Sequence, residues 1–331
     1  MILILMIITP GIPEYLTGSS KLDSIIYNPT FFFIGLSLNI ALYTTGALLI
    51  REFSIKFNKG WFSTLILGVA YGIMEEGVAV HTFLLTSGDP VGSLGIYGRY
   101  AGIDWMWALF ISSFHSIFSI GLPLLLLSTA YPKYSRESLL GRNGKFAVSL
   151  IFLIDVIAAN LFVAAISGRP VPTIGEYTVM FALVIILIFT AYAAPGKWLS
   201  CKGVPGQGVI KLYLLGMLVF PLYLIYAYLP SLPSFADRVP PILEALAYFF
   251  QSLLIARIIA HYVPKENNRR HKFALALGLI TPLLIWAEIM QLIGTSALIT
   301  IVAIIAIVLL FRLRKWVRTG KYQEGNFPYA D

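Results

Sequence analysis

Nine apolar runs, each long enough to cross a bilayer as a helix, occupy residues 30–50, 62–87, 104–130, 147–167, 177–195, 210–229, 239–262, 273–293 and 295–313. A span needs about 20 mostly apolar residues. Inside a membrane the backbone must also satisfy its own hydrogen bonds, which leaves helices or closed barrels. No alternating ten-residue barrel pattern occurs. The expected fold is therefore all-α: a polytopic transmembrane helix bundle of about nine spans, eight to nine. Only 12% of the 331 residues are charged, against roughly 25% in a soluble domain. Residues 1–331 read as one integral membrane domain with no linker, low-complexity tract or internal repeat. Its chemical core is expected in 62–130 and 147–167. Met1–Thr9 is apolar but too short to cross, and Pro10 follows it. That segment is open to three readings: interfacial, re-entrant or signal-like.

Lys and Arg alternate between successive connections. Segment 51–61 holds Arg51, Lys56 and Lys59, and 131–146 holds Lys133, Arg136, Arg142 and Lys145. Lys197, Lys202 and Lys211 fall in 196–211, and Lys265, Arg269, Arg270 and Lys272 in 263–272. The tail carries Arg312, Arg314, Lys315, Arg318 and Lys321. The intervening connections carry a single Arg each (Arg99, Arg169, Arg238) or none. By the positive-inside rule the basic connections are cytoplasmic. Nine spans then put the N-terminus outside and the C-terminus inside a plasma membrane. The net charge of +8 is thereby topogenic, and the partner it implies is the lipid bilayer, with anionic headgroups at the basic face, rather than nucleic acid.

Against this apolar background Glu75 and Glu76 stand side by side within the second run. One ionised side chain at mid-bilayer costs at least ~2.5 kcal/mol on insertion scales, so intramembrane carboxylates are functional by default. The bland alternative is a protonated pair acting as interhelical glue. Counted from the outer ends of the runs, Glu75 and Glu76 lie twelve and eleven residues deep, His115 eleven, Asp155 twelve and Gln251 twelve. At 1.5 Å per residue each group sits roughly 16–18 Å below the outer surface. Four helices thus contribute to one polar layer. Asp104, Ser112, His115 and Ser119 share a face of the third run by steps of three and four. Glu75 and Glu76 are ~100° apart on an α-helix, so only one is expected to aim squarely at a partner. Arg99 belongs to the glycine-rich outer loop 95–105 and is a candidate to fold inward onto a carboxylate, or to join an interfacial aromatic belt.

The residues that are absent narrow the chemistry. There is no Walker, GxGxxG or HExxH motif. Asp155 lacks a second membrane aspartate for an aspartyl protease, and no serine sits in a GxSG context. The single cysteine, Cys201, excludes an internal disulfide and lies in a basic loop far from the layer. What remains is a Glu-Glu-plus-His set able to activate water, alone or with a divalent metal ion. The ligands of such an ion would be Glu76, His115 and Asp155.

Met74-Glu75-Glu76-Gly77-Val78-Ala79-Val80, followed on the next helix by Phe114-His115-Ser116, resembles the CAAX-prenyl endopeptidase and bacteriocin-processing family of intramembrane proteases. That family carries a Glu-Glu-x-x-x-Arg helix, a Phe-x-x-x-His helix and a later His or Asn motif. The resemblance covers about forty-five residues and implies that Glu75 or Glu76 activates water, that His115 positions it, and that the substrate is a membrane-associated peptide. Val80 stands at the motif's arginine and Ile111 at its phenylalanine, and no late His-x-x-x-Asn falls in a span. Arg99 is then the candidate replacement for the arginine, and Asp155 or Asn160 for the third motif. The chain is also similar to uncharacterised prokaryotic membrane proteins that share an EEG helix followed by a YGR…W loop. Two further readings stay beside the hydrolase: a proton- or ion-coupled transporter using the same carboxylates, and a structural membrane subunit.

Overall fold

The computed structural model describes residues 1–319 apart from 89–90, 197–198, 200, 205–206, 233, 266–267 and 295–297. Lys197 and Lys321 of the basic connections lie outside the described residues. Eight helices are long and apolar enough to cross a membrane: α2 (Pro29–Lys56), α3 (Trp61–Ala79), α4 (Trp105–Ala130), α5 (Arg142–Ile166), α6 (Ile174–Ala193), α7 (Val209–Ser231), α8 (Pro241–Tyr262) and α9 (Arg269–Leu292). A shorter α1 (Ile2–Tyr15) precedes them. The ninth apolar run forms α10 (Ile299–Thr319), whose last two turns carry Arg312, Arg314, Lys315 and Arg318. The chain is an all-α polytopic bundle with strand limited, among the described residues, to one two-residue ladder.

Burial sorts the helices into a centre and a shell. In α3 and α4, 72% and 78% of the spanning window is buried, against 17% in α5 and α6 and 11% in α8. The shell helices turn large apolar side chains outward, such as Ile154 and Leu161 on α5, Phe189 on α6 and Phe250 on α8. In water that surface would drive aggregation, whereas lipid is its natural solvent. The polar residues, by contrast, collect around α3 and α4.

Two features depart from the sequence reading. The second span stops at Ala79 rather than continuing to 87. His81 takes a left-handed conformation (φ 61°), and residues 82–104 form short 3₁₀ turns and a hairpin. Thr82, Phe83, Leu84, Leu94 and Ile103 are buried, so this irregular backbone caps the end of the bundle opposite Arg51 and Lys56 from inside the protein, a setting in which it is tolerated at membrane depth. The hairpin pairs Arg99 with Asp104 and Tyr100 with Ile103. Its tip, Ala101-Gly102, has positive φ at both positions (49° and 84°), the geometry of a type I′ turn.

The second departure concerns the N-terminus. Going up α1 and the segment after it, Thr9 meets Thr44 (Oγ1 to Oγ1, 3.4 Å), Glu14 accepts from Tyr43, Ser20 accepts from Asn39 (3.1 Å), and Asp23 accepts from the Leu298 amide (3.1 Å). Residues 1–28 therefore run antiparallel to α2, first as a half-helix and then as irregular chain. Leu5 is fully buried against the same cluster as Leu48, which puts the N-terminal residues at the face of Arg51 and Lys56. Trp316 of α10 packs on Tyr131 at that face (ring centroids 5.5 Å). Leu5 and Trp316 thus lie toward the same end of the bundle. The link from α1 to α2 passes through residues 16–28, which are neither apolar enough nor regular enough to read as a span.

Candidate functional site: a glutamate-histidine cluster on two π-helical turns

Small residues bring the two central helices together. An added Cβ on Gly68 would lie 2.7 Å from the Ser116 Cα, and one on Gly72 would lie 2.6 Å from the Ser112 Cα. Four-residue spacing on both helices makes this a small-xxx-small contact, the arrangement by which membrane helices approach most closely. Ser116 Oγ also donates to the Leu65 carbonyl of α3 (2.6 Å). Glu75 and Glu76 follow Gly72 by one turn, and His115 falls between Ser112 and Ser116.

Those turns are not α-helical. Ile73–Ala79 and His115–Gly121 are π-helical segments, with Val80 N–H bonded to Glu75 C=O and Leu122 N–H to Ile117 C=O. An i→i+5 turn is wider than an α turn and sweeps less than the α-helical ~100° per residue. Adjacent side chains consequently stay closer in direction. The expectation that one glutamate must turn away is corrected for this reason. Glu75 Oε2 lies 3.1 Å from His115 Nδ1, and Glu76 Oε1 lies 3.0 Å from His115 Nε2. The His115 side chain is 2% exposed, that of Glu75 6% and that of Glu76 12%.

The cluster is held from several sides. Ser119 Oγ sits 2.8 Å from His115 Nδ1, one turn along the same helix. Thr82 donates to Glu76 Oε2 (2.5 Å) and receives the indole N–H of Trp107 (3.0 Å). The rings of Tyr43 and Tyr71 stand 6.0 Å and 6.1 Å from the imidazole and 5.8 Å from each other. Tyr43 in turn donates to Glu14, whose other oxygen accepts from Ser20 (2.6 Å). Glu14 itself lies on a third π-helical turn, Gly11–Tyr15. Three such turns therefore meet around one histidine, consistent with the frequent occurrence of π-bulges at functional sites.

The other sequence candidates take different places. Asp155 is buried on α5, but Tyr71 stands on the way to it: that ring is 6.1 Å from His115 and 6.3 Å from Phe152, one turn before Asp155. Asn160 does not reach the cluster. Its Nδ2 lies 2.6 Å from the Val78 carbonyl, 2.7 Å from Tyr177 Oη and 2.8 Å from His81 Nε2, so it clamps the end of the glutamate-bearing turn. Arg99 spends its guanidinium on the carbonyls of Leu84, Leu85, Gly95 and Gly102. It knits the loop cap and is not a replacement for the motif's arginine. Arg169 does come near Glu76 and donates to the Val80 carbonyl (2.7 Å). Asp104 caps α4 through the Trp107 amide (3.0 Å), and Ser112 serves as the packing surface for Gly72. Gln251 is half-buried on α8, and among the described residues no hydrogen bond ties it to the cluster. Cys201 stays in the basic-face connection, where burial pushes its thiol up from the ordinary value.

Sequence reasoning missed Glu14, Tyr43, Tyr71, Thr82, Trp107 and Arg169. The small-residue spacing on the two central runs was the one available signal for their pairing. Among the described residues, the side chains able to hold a metal ion together are Glu75, Glu76 and His115, with one ligand atom from each inside a 4.8 Å span. This corrects the expected set, replacing Asp155 with Glu75.

An all-α bundle with eight apolar spans and a buried carboxylate-imidazole cluster defines a multi-pass membrane protein with a polar site in its interior. The chain belongs to an uncharacterised membrane protein family, whose profile matches residues 3–320. Comparison with curated proteins and with solved structures gave no match.

Proposed function

We propose that the protein is an intramembrane glutamate-dependent hydrolase, a CAAX-protease-like peptidase of the plasma membrane with its basic face in the cytoplasm. The observation that supports this reading is the placement of one carboxylate at each nitrogen of a buried imidazole. In this reading Glu76, the more exposed of the two acids, is the general base. Water enters as Glu76 and His115 part. Its oxygen bonds to the substrate carbonyl carbon while its proton passes to Glu76. His115 donates to the developing oxyanion, and Glu76 returns the proton to the leaving amine as the C–N bond breaks. Glu75 balances the imidazole from its other nitrogen. The substrate is a membrane-associated peptide. Purified full-length protein in nanodiscs, assayed against a library of lipid-tethered quenched peptides, tests the reading. Cleavage should be lost in Glu76→Gln and in His115→Ala, and cleavage that survives both variants rules it out.

A second reading rests on a different observation. The half-helix α1 ends inside the bundle, and α3 breaks at His81 beside the buried acids, much as discontinuous helices line the midplane sites of transporters. Proton- or ion-coupled transport then uses the same glutamates. Proteoliposome flux that follows a pH gradient and disappears in Glu75→Gln/Glu76→Gln supports it, and flux indifferent to both excludes it.

A further inference from the structure

Glu75, Glu76 and His115 supply two carboxylate oxygens and one imidazole nitrogen from facing π-helical turns, and these ligand atoms lie within 4.8 Å of one another. We propose that they bind one divalent transition-metal ion. Around a four-coordinate zinc with bonds of ~2.0–2.1 Å, neighbouring ligand atoms stand roughly 3.3 Å apart. The 3.0 Å contact of Glu76 Oε1 to Nε2 is close to that spacing, and Glu75, which sits at Nδ1, joins the same ion by swinging its carboxylate round the ring edge. Mixed carboxylate and imidazole donors suit Zn²⁺, Mn²⁺, Fe²⁺ or Co²⁺, whereas Mg²⁺ and Ca²⁺ favour all-oxygen shells.

A second observation points the same way. Glu75 Oε2 is buried, has no hydrogen-bond partner and is aimed at the imidazole. A buried carboxylate oxygen without hydrogen-bond geometry calls for an ion or a water. Two acids buried beside a single imidazole also leave negative charge in a low dielectric, which a divalent cation offsets. The surroundings resemble an outer coordination sphere. Ser119 fixes the ring at Nδ1, and Thr82, itself held by Trp107, fixes the free oxygen of Glu76. Such partners orient metal ligands elsewhere. Three protein donors leave one position open, the pattern of catalytic sites. Binding does not require hydrolysis, so this inference and the hydrolase reading fail separately.

The test uses tag-free, full-length protein in detergent, stripped by chelator and titrated with Zn²⁺ or Co²⁺ alone. One equivalent per chain is expected by elemental analysis, with visible Co²⁺ bands of a low-symmetry site and a rise in Tm with Zn²⁺. Glu76→Gln and His115→Ala should each weaken binding at least tenfold, while Glu288→Gln, on the exposed side of α9, leaves it unchanged. Should a variant fail to fold, X-ray absorption at the zinc edge of the wild-type protein decides. One imidazole with oxygen neighbours supports the site, whereas two or more imidazoles, or no bound metal, overturns it. Undiminished uptake in folded Glu75→Gln/Glu76→Gln also overturns it. Stoichiometric metal without peptide cleavage removes the hydrolase reading alone.

Discussion

His115 lies between two glutamates of a single helical turn, with Glu75 Oε2 3.1 Å from its Nδ1 and Glu76 Oε1 3.0 Å from its Nε2. The two acids are adjacent in sequence, yet they approach opposite nitrogens of one ring. That requires a turn wider than an α turn and a ring inserted edge-on between the side chains. Both follow from the π-helical segments on α3 and α4.

The two acids are not equivalent, and their variants should differ. Glu76 carries the Thr82 contact and the greater exposure. Glu76→Gln is expected to lower peptide cleavage by the ~10²–10⁴-fold that a general base contributes. Glu75→Gln, which removes a charge but no base, should cost about a tenth as much in logarithmic terms. Steady-state turnover of a reporter peptide separates them, and equal losses would remove the distinction.

Helix contact at Gly72 sets the geometry of the cluster. Gly72→Leu has no room against the Ser112 Cα at 2.6 Å and should destabilise by at least the ~1–3 kcal/mol of an overpacked core. Gly35 on α2 has nothing within 4 Å of an added Cβ, so Gly35→Ala should be neutral or slightly stabilising. Thermal unfolding in detergent compares the two. A Gly72→Leu protein as stable as wild type would show that the helices do not meet there.

Arg99 holds four carbonyls of the loop cap. Arg99→Ala should leave the cluster in place while loosening the cap. Hydrogen exchange is expected to rise across residues 82–104 and stay unchanged in α3 and α4. If exchange rises first in the central helices, Arg99 acts on the site and not on the loop.

The antiparallel run of residues 1–28 along α2 puts both described ends at one face. Reporter tags fused to each end should be accessible from the same side of sealed vesicles. Tags read from opposite sides would show that residues 1–28 do not return along α2.

Much of this architecture is legible in the sequence because it depends on composition and period. Eight spans match apolar runs, and the pairing of Glu-bearing and His-bearing helices follows from their order and depth. The details that position the chemistry are local departures from the α-helix, which hydropathy does not encode. Counting 100° per residue separates Glu75 from Glu76, and extending the second run to 87 hides the break at His81. Glu14 escapes notice because it sits among prolines after a segment too short to span, and only packing against Tyr43 brings it in. Arg99 and Arg169 look interchangeable as lone outer-loop cations. Tertiary contacts alone assign the first to loop carbonyls and the second to the turn below Glu76.

An experimental density map of the full chain in lipid nanodiscs, at a resolution that shows carboxylate groups, tests the account most directly. The prediction is that Glu75 and Glu76 both converge on the His115 ring from π-helical turns, within about 3 Å of its nitrogens or with a metal ion between them. A map in which 73–79 is regular α-helix and the two carboxylates point to different helices would contradict it.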